Sequence, residues 1–213
     1  MSECIIEIKN YTKCIKGNVI LKNININLEK GKCYGFIGTN GSGKSILFKA
    51  ICGLIKSNDG YIKVNGKIIG KEVDFPSDVG ALIEYPGFLS NFSGFENLKY
   101  LAKINNKISD EEIVKYMDLL ELDYKDKKKV KSYSLGMKQR LGIIQAIMEN
   151  PSIIILDEPM NALDKNGVNL VRDIIKDMKN EGKTILLTSH NILDINLLCD
   201  KIFEFDAGSL KEN

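Results

Sequence analysis

The sequence predicts an α/β fold: a parallel sheet flanked by an antiparallel β side sheet and a helical lid. Three observations carry this expectation. Compact apolar runs at 33–38 (CYGFIG), 153–159 (IIILDEP) and 184–190 (TILLTSH) alternate with helical patterns, as parallel α/β cores do. Before and between them, residues 4–10, 19–28 and 61–69 read as half-exposed strands. Residues from about 94 to 150 carry helical spacing almost throughout.

Taken in order, CIIEIKN and VILKNININL open the chain, the second alternating apolar and polar residues at the period of a strand. Lys30-Gly31-Lys32 turns the chain into CYGFIG. SILFKAICGLI (45–55) is spaced as a helix ending near Gly53. SNDG reads as a turn, and YIKVNGKII as a hairpin about Asn65-Gly66. VGALIEY (79–85) is a further strand. Helices are then expected at 94–104, 109–122 and 135–150, the second opened by a Ser109/Glu112 capping box. The basic run 126–131 reads as a solvated loop. Pro151 ends the helical region. An amphipathic helix capped at Gly182, the strand TILLTSH, the helix NILDINLLCD and a terminal strand with a turn complete the chain.

The 213 residues fit one domain, with 44% hydrophobic and 27% charged residues. A net charge of +2 gives no basic field for general nucleic-acid or membrane-surface binding, so no nucleic acid partner is expected. The five cysteines (Cys4, Cys14, Cys33, Cys52 and Cys199) form no CxxC pair and read as reduced, small buried residues of a cytosolic protein. MSECIIEIKN lacks the basic and long apolar segments of a signal peptide, and no run is long enough to span a bilayer. Work at a membrane would require spans from another polypeptide.

Gly38-Thr39-Asn40-Gly41-Ser42-Gly43-Lys44-Ser45 follows a predicted strand and opens a predicted helix. This GxxxxGK[ST] pattern defines a P-loop NTPase core. Backbone N–H groups of such a loop converge on phosphate oxygens, helped by the positive helix end. Lys44 would neutralise phosphate charge, and the Ser45 hydroxyl would ligate Mg²⁺. Asp157 emerges at the end of IIIL, where ligands sit in open α/β sheets, and would also hold Mg²⁺. Glu158 is placed to polarise a water molecule against the γ-phosphate. His190, the one histidine, ends another predicted core strand; in a parallel sheet its end lies on the same edge as Asp157, making it a candidate γ-phosphate contact. Asn106-Lys107-Ile108-Ser109 lacks the aspartate of a guanine-recognition NKxD motif.

GTNGSGKS, YSLGMKQR, IIILDEP, NALD and TSH appear in the order found in ATP-binding-cassette ATPases, and the resemblance covers essentially the whole chain. It implies ATP and Mg²⁺ as cofactors. It also implies a core of residues 1–85 and 151–213 and a helical subdomain of residues 86–150. YSLGM stands where the family has its signature, commonly LSGGQ. In that family the signature of one subunit faces the phosphate loop of a second, with two ATP molecules between them. Ser134 and Gly136 are therefore expected to contact ATP held by a partner, and Asn161 to Asp164 to run along the dimer seam. Helix-end charge gives this a physical basis, since a γ-phosphate favours the closed pair and its loss releases it.

Several positions depart from the family pattern. Leu135 and Met137 replace a glycine and a glutamine, and Leu135 should hold regular backbone. Glu84 stands at the glutamine of the Q-loop; a carboxylate there can ligate Mg²⁺ but adds negative charge. Ile15 lies where an aromatic residue usually stacks on adenine and would offer apolar contact, with Tyr11 as a substitute. ALIEYPGF…ENL with SLGMKQR resembles the bacterial cassettes of bacitracin- and lantibiotic-type peptide export or immunity. This implies a separate transmembrane permease and a peripheral position on the inner face of the cell membrane. Residues 85–100 would carry the permease contact. Phe88, Leu89 and Phe92 are either that contact or internal packing.

Alternatives stay open at this point. A soluble non-transport ATPase of the same superfamily fits the motifs, although the chain has no room for a tandem cassette and no long coiled-coil insertion. A nucleotide-dependent regulator without catalysis is opposed by Glu158 and His190 and left open by Leu135 and Ile15.

Overall fold

The structure is a computed structural model describing residues 3–85 and 87–212. Two strands, β1 (Cys4–Ile15) and β2 (Asn18–Glu29), pair antiparallel, and β3 (Cys33–Ile37) leads into α1 (Lys44–Ile51). β4 (Asp59–Val64) and β5 (Lys67–Ile68) form the hairpin, followed by β6 (Val79–Leu82). α2 (Gly94–Asn105), α3 (Asp110–Leu119) and α4 (Leu135–Ile147) make the helical segment. β7 (Ile153–Leu156), α5 (Lys165–Asn180), β8 (Thr184–Thr188), α6 (Ile192–Leu198), β9 (Lys201–Asp206) and β10 (Ser209–Glu212) follow.

The side sheet has the order β2-β1-β4-β5 and is antiparallel. The central sheet has the order β10-β9-β3-β8-β7-β6, parallel except for the β9–β10 hairpin. Strand period two explains how it feeds two cores. Ile153 and Ile155 face the side sheet with Leu21, Phe36, Phe48 and Leu186. Ile154 and Leu156 face the helices with Leu98, Ile113, Leu141 and Val171. Phe36 meets Phe48 edge-on at 5.3 Å and stacks with Phe203 at 5.4 Å, fixing α1 and β9 against β3. On α5 the buried residues Gly167, Val171, Ile174 and Ile175 lie on one face, the spacing that anchors an amphipathic helix.

Helix entries follow local chemistry. Ser109 and Glu112 form the expected capping box, and Ser93 with Glu96 forms a second one that the sequence reading missed. The Ser134 hydroxyl accepts from Met137 N at α4, and Leu135 is regular helix as expected.

α1 ends at Ile51 with Cys52 as its C-cap, close to Gly53 as expected; Gly53 is left-handed at φ +79°, and a Cβ there would meet the Asp74 carbonyl oxygen at 2.3 Å. Other boundaries differ from expectation. β6 ends at Leu82, where its pairing with β7 ends, rather than at residue 85. β1 runs to Ile15 through register shifts that break its apolar alternation. The terminal strand is a hairpin, turned at Ala207 and Gly208, both with positive φ. The expectation of uniformly buried cysteines is corrected: Cys33 is buried, Cys4 is exposed, and the others are half-buried. Phe88 packs against the helical core, whereas Leu89 and Phe92 stay 45% and 44% exposed. Among the described residues no helix is long and apolar enough to cross a membrane.

Candidate active site

Parallel registry builds the site. Leu156 on β7 lies opposite Leu187 on β8, and Phe36 on β3 opposite Thr188. Asp157, Thr188 and the loop after Ile37 therefore leave the sheet at one edge. There a cleft of about 440 Å³ is lined by Asn40, Gly41, Gly43, Lys44, Ser45, Glu84, Asp157, Glu158 and His190, among others.

Residues 38–43 connect β3 to α1. Gly43 is the N-cap at φ 116°, and a Cβ there would lie 2.8 Å from Leu21 Cδ2, so this turn requires glycine. Ser42 N donates to the Thr39 carbonyl at 3.2 Å, closing the loop. Lys44, 8% exposed, donates to the Gly38 and Thr39 carbonyls at 2.8 and 3.0 Å. Its ammonium thus folds over the loop it would share with an anion. Ser42 Oγ is buried without a hydrogen-bond partner among the described residues.

The acids are held by hydroxyls. Ser45 Oγ donates to Asp157 Oδ2 at 2.6 Å, and Thr188 Oγ1 donates to Asp157 Oδ1 at 2.7 Å. The same Thr188 oxygen accepts from Glu158 N at 2.8 Å. Glu158 is left-handed at φ +53°, a strained conformation for a glutamate. Its backbone carbonyl accepts from Gln139 Nε2 at 3.0 Å, and its Oε2 accepts from His190 N at 3.0 Å. Oε1 is buried with no hydrogen-bond partner among the described residues, and His190 Nε2 is 3.4 Å away, an ion-pair contact only when the imidazole is protonated. Burial raises the Glu158 pKa above the ordinary 4.5, opposed by the His190 N–H. A partly desolvated carboxylate with one free oxygen can accept a proton from a water molecule.

Other expected residues lie elsewhere. Ser134 and Gly136 do not line this cleft; they border a neighbouring groove with Arg140, Leu163 and Asp164. Leu135 and Ala162 belong to both. A Cβ on Gly136 would lie 2.9 Å from the Ala162 carbonyl oxygen, so α4 begins in close contact with the loop after β7. Ile15 ends β1 opposite Asn18 and does not line the cleft. Tyr11 is buried in the side-sheet core with its hydroxyl on the Ile55 carbonyl, so it is no substitute stacking residue. Glu84 lines the cleft at φ +56° and is paired with Lys49 at 2.6 Å. Thr188, Gln139 and Lys49 were missed by sequence reasoning. Thr188 had a readable signal: it is the last residue of TILLT, aligned with the acid that ends IIIL.

The donor set fits phosphate and a hard divalent cation. A glycine-rich turn at a helix N-terminus with Lys44 folded over it suits an anion, and one hydroxyl with one carboxylate suits a Mg²⁺. A phosphate loop before the first crossover helix, with an acid at the end of β7, one strand removed from β3, and a second acid beside it, defines a P-loop nucleotide hydrolase. The ABC transporter family model matches residues 21–161. An uncharacterized ABC transporter ATP-binding protein, YybJ, of Bacillus subtilis (strain 168) is 44% identical over 207 residues, covering 97% of this chain and 95% of that one. The bacitracin transport ATP-binding protein BcrA of Enterococcus faecalis is 40% identical over 213 residues, 99% of this chain and 69% of that one. A solved dimeric structure of a bacterial ABC transporter cassette superposes with a TM-score of 0.89 at 24% identity, covering 98% of each chain. The chain belongs to the ABC transporter family and is one of its ATP-binding, ATP-hydrolysing subunits.

Proposed function

We propose that this chain is a motor subunit that closes with a second cassette around two ATP molecules and reopens on hydrolysis, driving a separate transmembrane permease. The carrying observation is the Glu158 carboxylate: one oxygen is held by His190 N, and the other is buried and unpartnered in a cleft shared with Lys44, Ser45 and Asp157. Gly38, Thr39, Asn40, Gly41, Ser42 and Gly43 cradle the phosphates, and Lys44 neutralises them. Ser45 and Asp157 would hold Mg²⁺, with Glu84 as a further oxygen donor. Bound there, Mg²⁺ supplies charge neutralisation of the phosphate oxygens. Glu158 takes a proton from the attacking water, and His190 contacts the γ-phosphate.

Ser134 and Gly136 serve the partner's ATP. Their position outside the cleft of their own chain supports this, because a helix N-terminus there can meet an anion only from another molecule. Ile15 gives an apolar surface to adenine. Residues 86–150 act as a lid on a core of 1–85 and 151–213. The exposed Leu89 and Phe92 offer apolar contact to the permease. The cargo class is a bacitracin- or lantibiotic-type peptide, supported by the likeness to the bacitracin transport protein, and the working place is the inner face of the membrane.

The test is ATP binding and turnover by the purified chain. Lys44→Ala should abolish binding, and parental turnover should rise faster than linearly with protein concentration. Normal binding by Lys44→Ala would show the loop to be structural, and strict linearity where monomer predominates would remove the two-cassette site.

A further inference from the structure

The cleft carries an excess of negative charge for a triphosphate site. Its lining holds three carboxylates, Glu84, Asp157 and Glu158, against one ammonium, Lys44. Asp157 and Glu158 have chemistry to perform there. Glu84 brings a third negative charge close to an anionic ligand, and each such charge weakens anion binding by Coulomb repulsion.

Glu84 is not left alone. Lys49 Nζ lies 2.6 Å from its Oε1. Lys49 sits on α1 one turn beyond Ser45, so both side chains rise from the same helix face. Lys49 does not line the cleft; it meets Glu84 from behind. The pair therefore ties the helix that carries the phosphate loop to the left-handed residue after β6. The lysine side chain is 26% exposed and the glutamate 54%, so the pair is screened and modest in energy, yet close enough to set local charge.

We propose that Lys49 is the counter-ion and anchor of Glu84, the residue that allows an acid to stand at position 84 beside ATP, and that it thereby sets nucleotide affinity. Lys49 is a positioning residue; it acts through Glu84 and touches no substrate. The proposal rests on the reading of this cleft as the ATP site.

The experiment measures the affinity of the full chain for a fluorescent ATP analogue, in excess Mg²⁺ and in EDTA. Lys49→Gln should bind about three- to tenfold more weakly in both conditions, a deficit that shrinks as salt is raised. Lys49→Arg should bind as the parent does. The double variant Lys49→Gln/Glu84→Gln should recover the EDTA affinity to at least the parental value, because the uncompensated charge is gone. Parental affinity in Lys49→Gln, or no recovery in the double variant, would overturn the proposal. If Lys49→Gln proves too unstable to assay, Glu84→Gln alone answers in EDTA: it should bind more tightly than the parent, and equal or weaker binding overturns the idea. Unimpaired binding by Lys44→Ala would instead sink the assignment of the ATP site, which keeps the two failures apart.

Discussion

Ser45 Oγ donates a 2.6 Å hydrogen bond to Asp157 Oδ2, joining residues 112 positions apart at the floor of the cleft. The bond brings the hydroxyl of the phosphate loop and the acid at the end of β7 to one point, where a hydroxyl oxygen and a carboxylate oxygen could both serve a hard cation.

Ser45→Ala removes one side of that site and leaves the phosphate cradle. The Mg²⁺ concentration for half-maximal ATP binding should rise about tenfold or more, while binding in EDTA stays near parental. A titration of nucleotide affinity against Mg²⁺ measures this, and an unchanged midpoint would remove Ser45 from the metal site.

Glu158→Gln keeps the shape of the side chain and discards the proposed base. Turnover should fall about 10²- to 10⁴-fold with ATP affinity preserved. Light scattering in MgATP should then find a long-lived dimer. Parental turnover would take the base assignment away from Glu158.

Burial raises the pKa of Glu158 above 4.5, and its proposed role as general base requires the ionised form. The acid limb of kcat/KM should therefore lie above pH 4.5. The same shift has a stability sign. The folded chain binds this proton more tightly than the unfolded chain, so the contribution of Glu158 is most favourable below pH 4.5 and declines as pH rises through the folded pKa. Glu158→Gln should accordingly melt at or above the parental temperature at neutral pH. A variant that melts clearly lower at pH 7 than the parent would contradict this sign.

Thr188 bridges Asp157 Oδ1 and Glu158 N. Thr188→Val leaves a buried N–H and a carboxylate oxygen without this partner, at a cost of about 1–3 kcal/mol. Urea unfolding should show that loss, and Thr188→Ser should recover most of it because the hydroxyl returns. Equal stability of the valine and serine variants would show that the hydroxyl contributes nothing.

Gly136 leaves no room for a methyl group beneath the Ala162 carbonyl. Gly136→Ala should displace the start of α4 and cut turnover about 10²-fold, since small misplacements have effects of that size. The chain's own cleft does not include Gly136, so ATP affinity of the monomer should stay near parental. Equal losses in binding and turnover would place Gly136 in the wrong half of the site.

The sequence by itself determined the class of fold and the chemistry-bearing motifs. GTNGSGKS and IIILDE state their own local geometry, because a glycine-rich turn and a four-residue apolar strand are read from nearest neighbours. The unbroken apolar run IIIL marked a strand buried on both faces, and the capping box at Ser109 marked a helix start correctly. Ends of elements were less legible. Gly53 marked the end of α1, but Leu82 ends β6 because β7 has no further residue to pair with it. Tertiary structure alone decided that Thr188 holds both acids, that Gln139 reaches the Glu158 carbonyl, that Lys49 covers Glu84, and that Ser134 and Gly136 stand outside the cleft of their own chain. These are relations between strands and helices distant in sequence. Spacing along one chain records the local conformation of each residue but not which neighbour the sheet order will bring beside it.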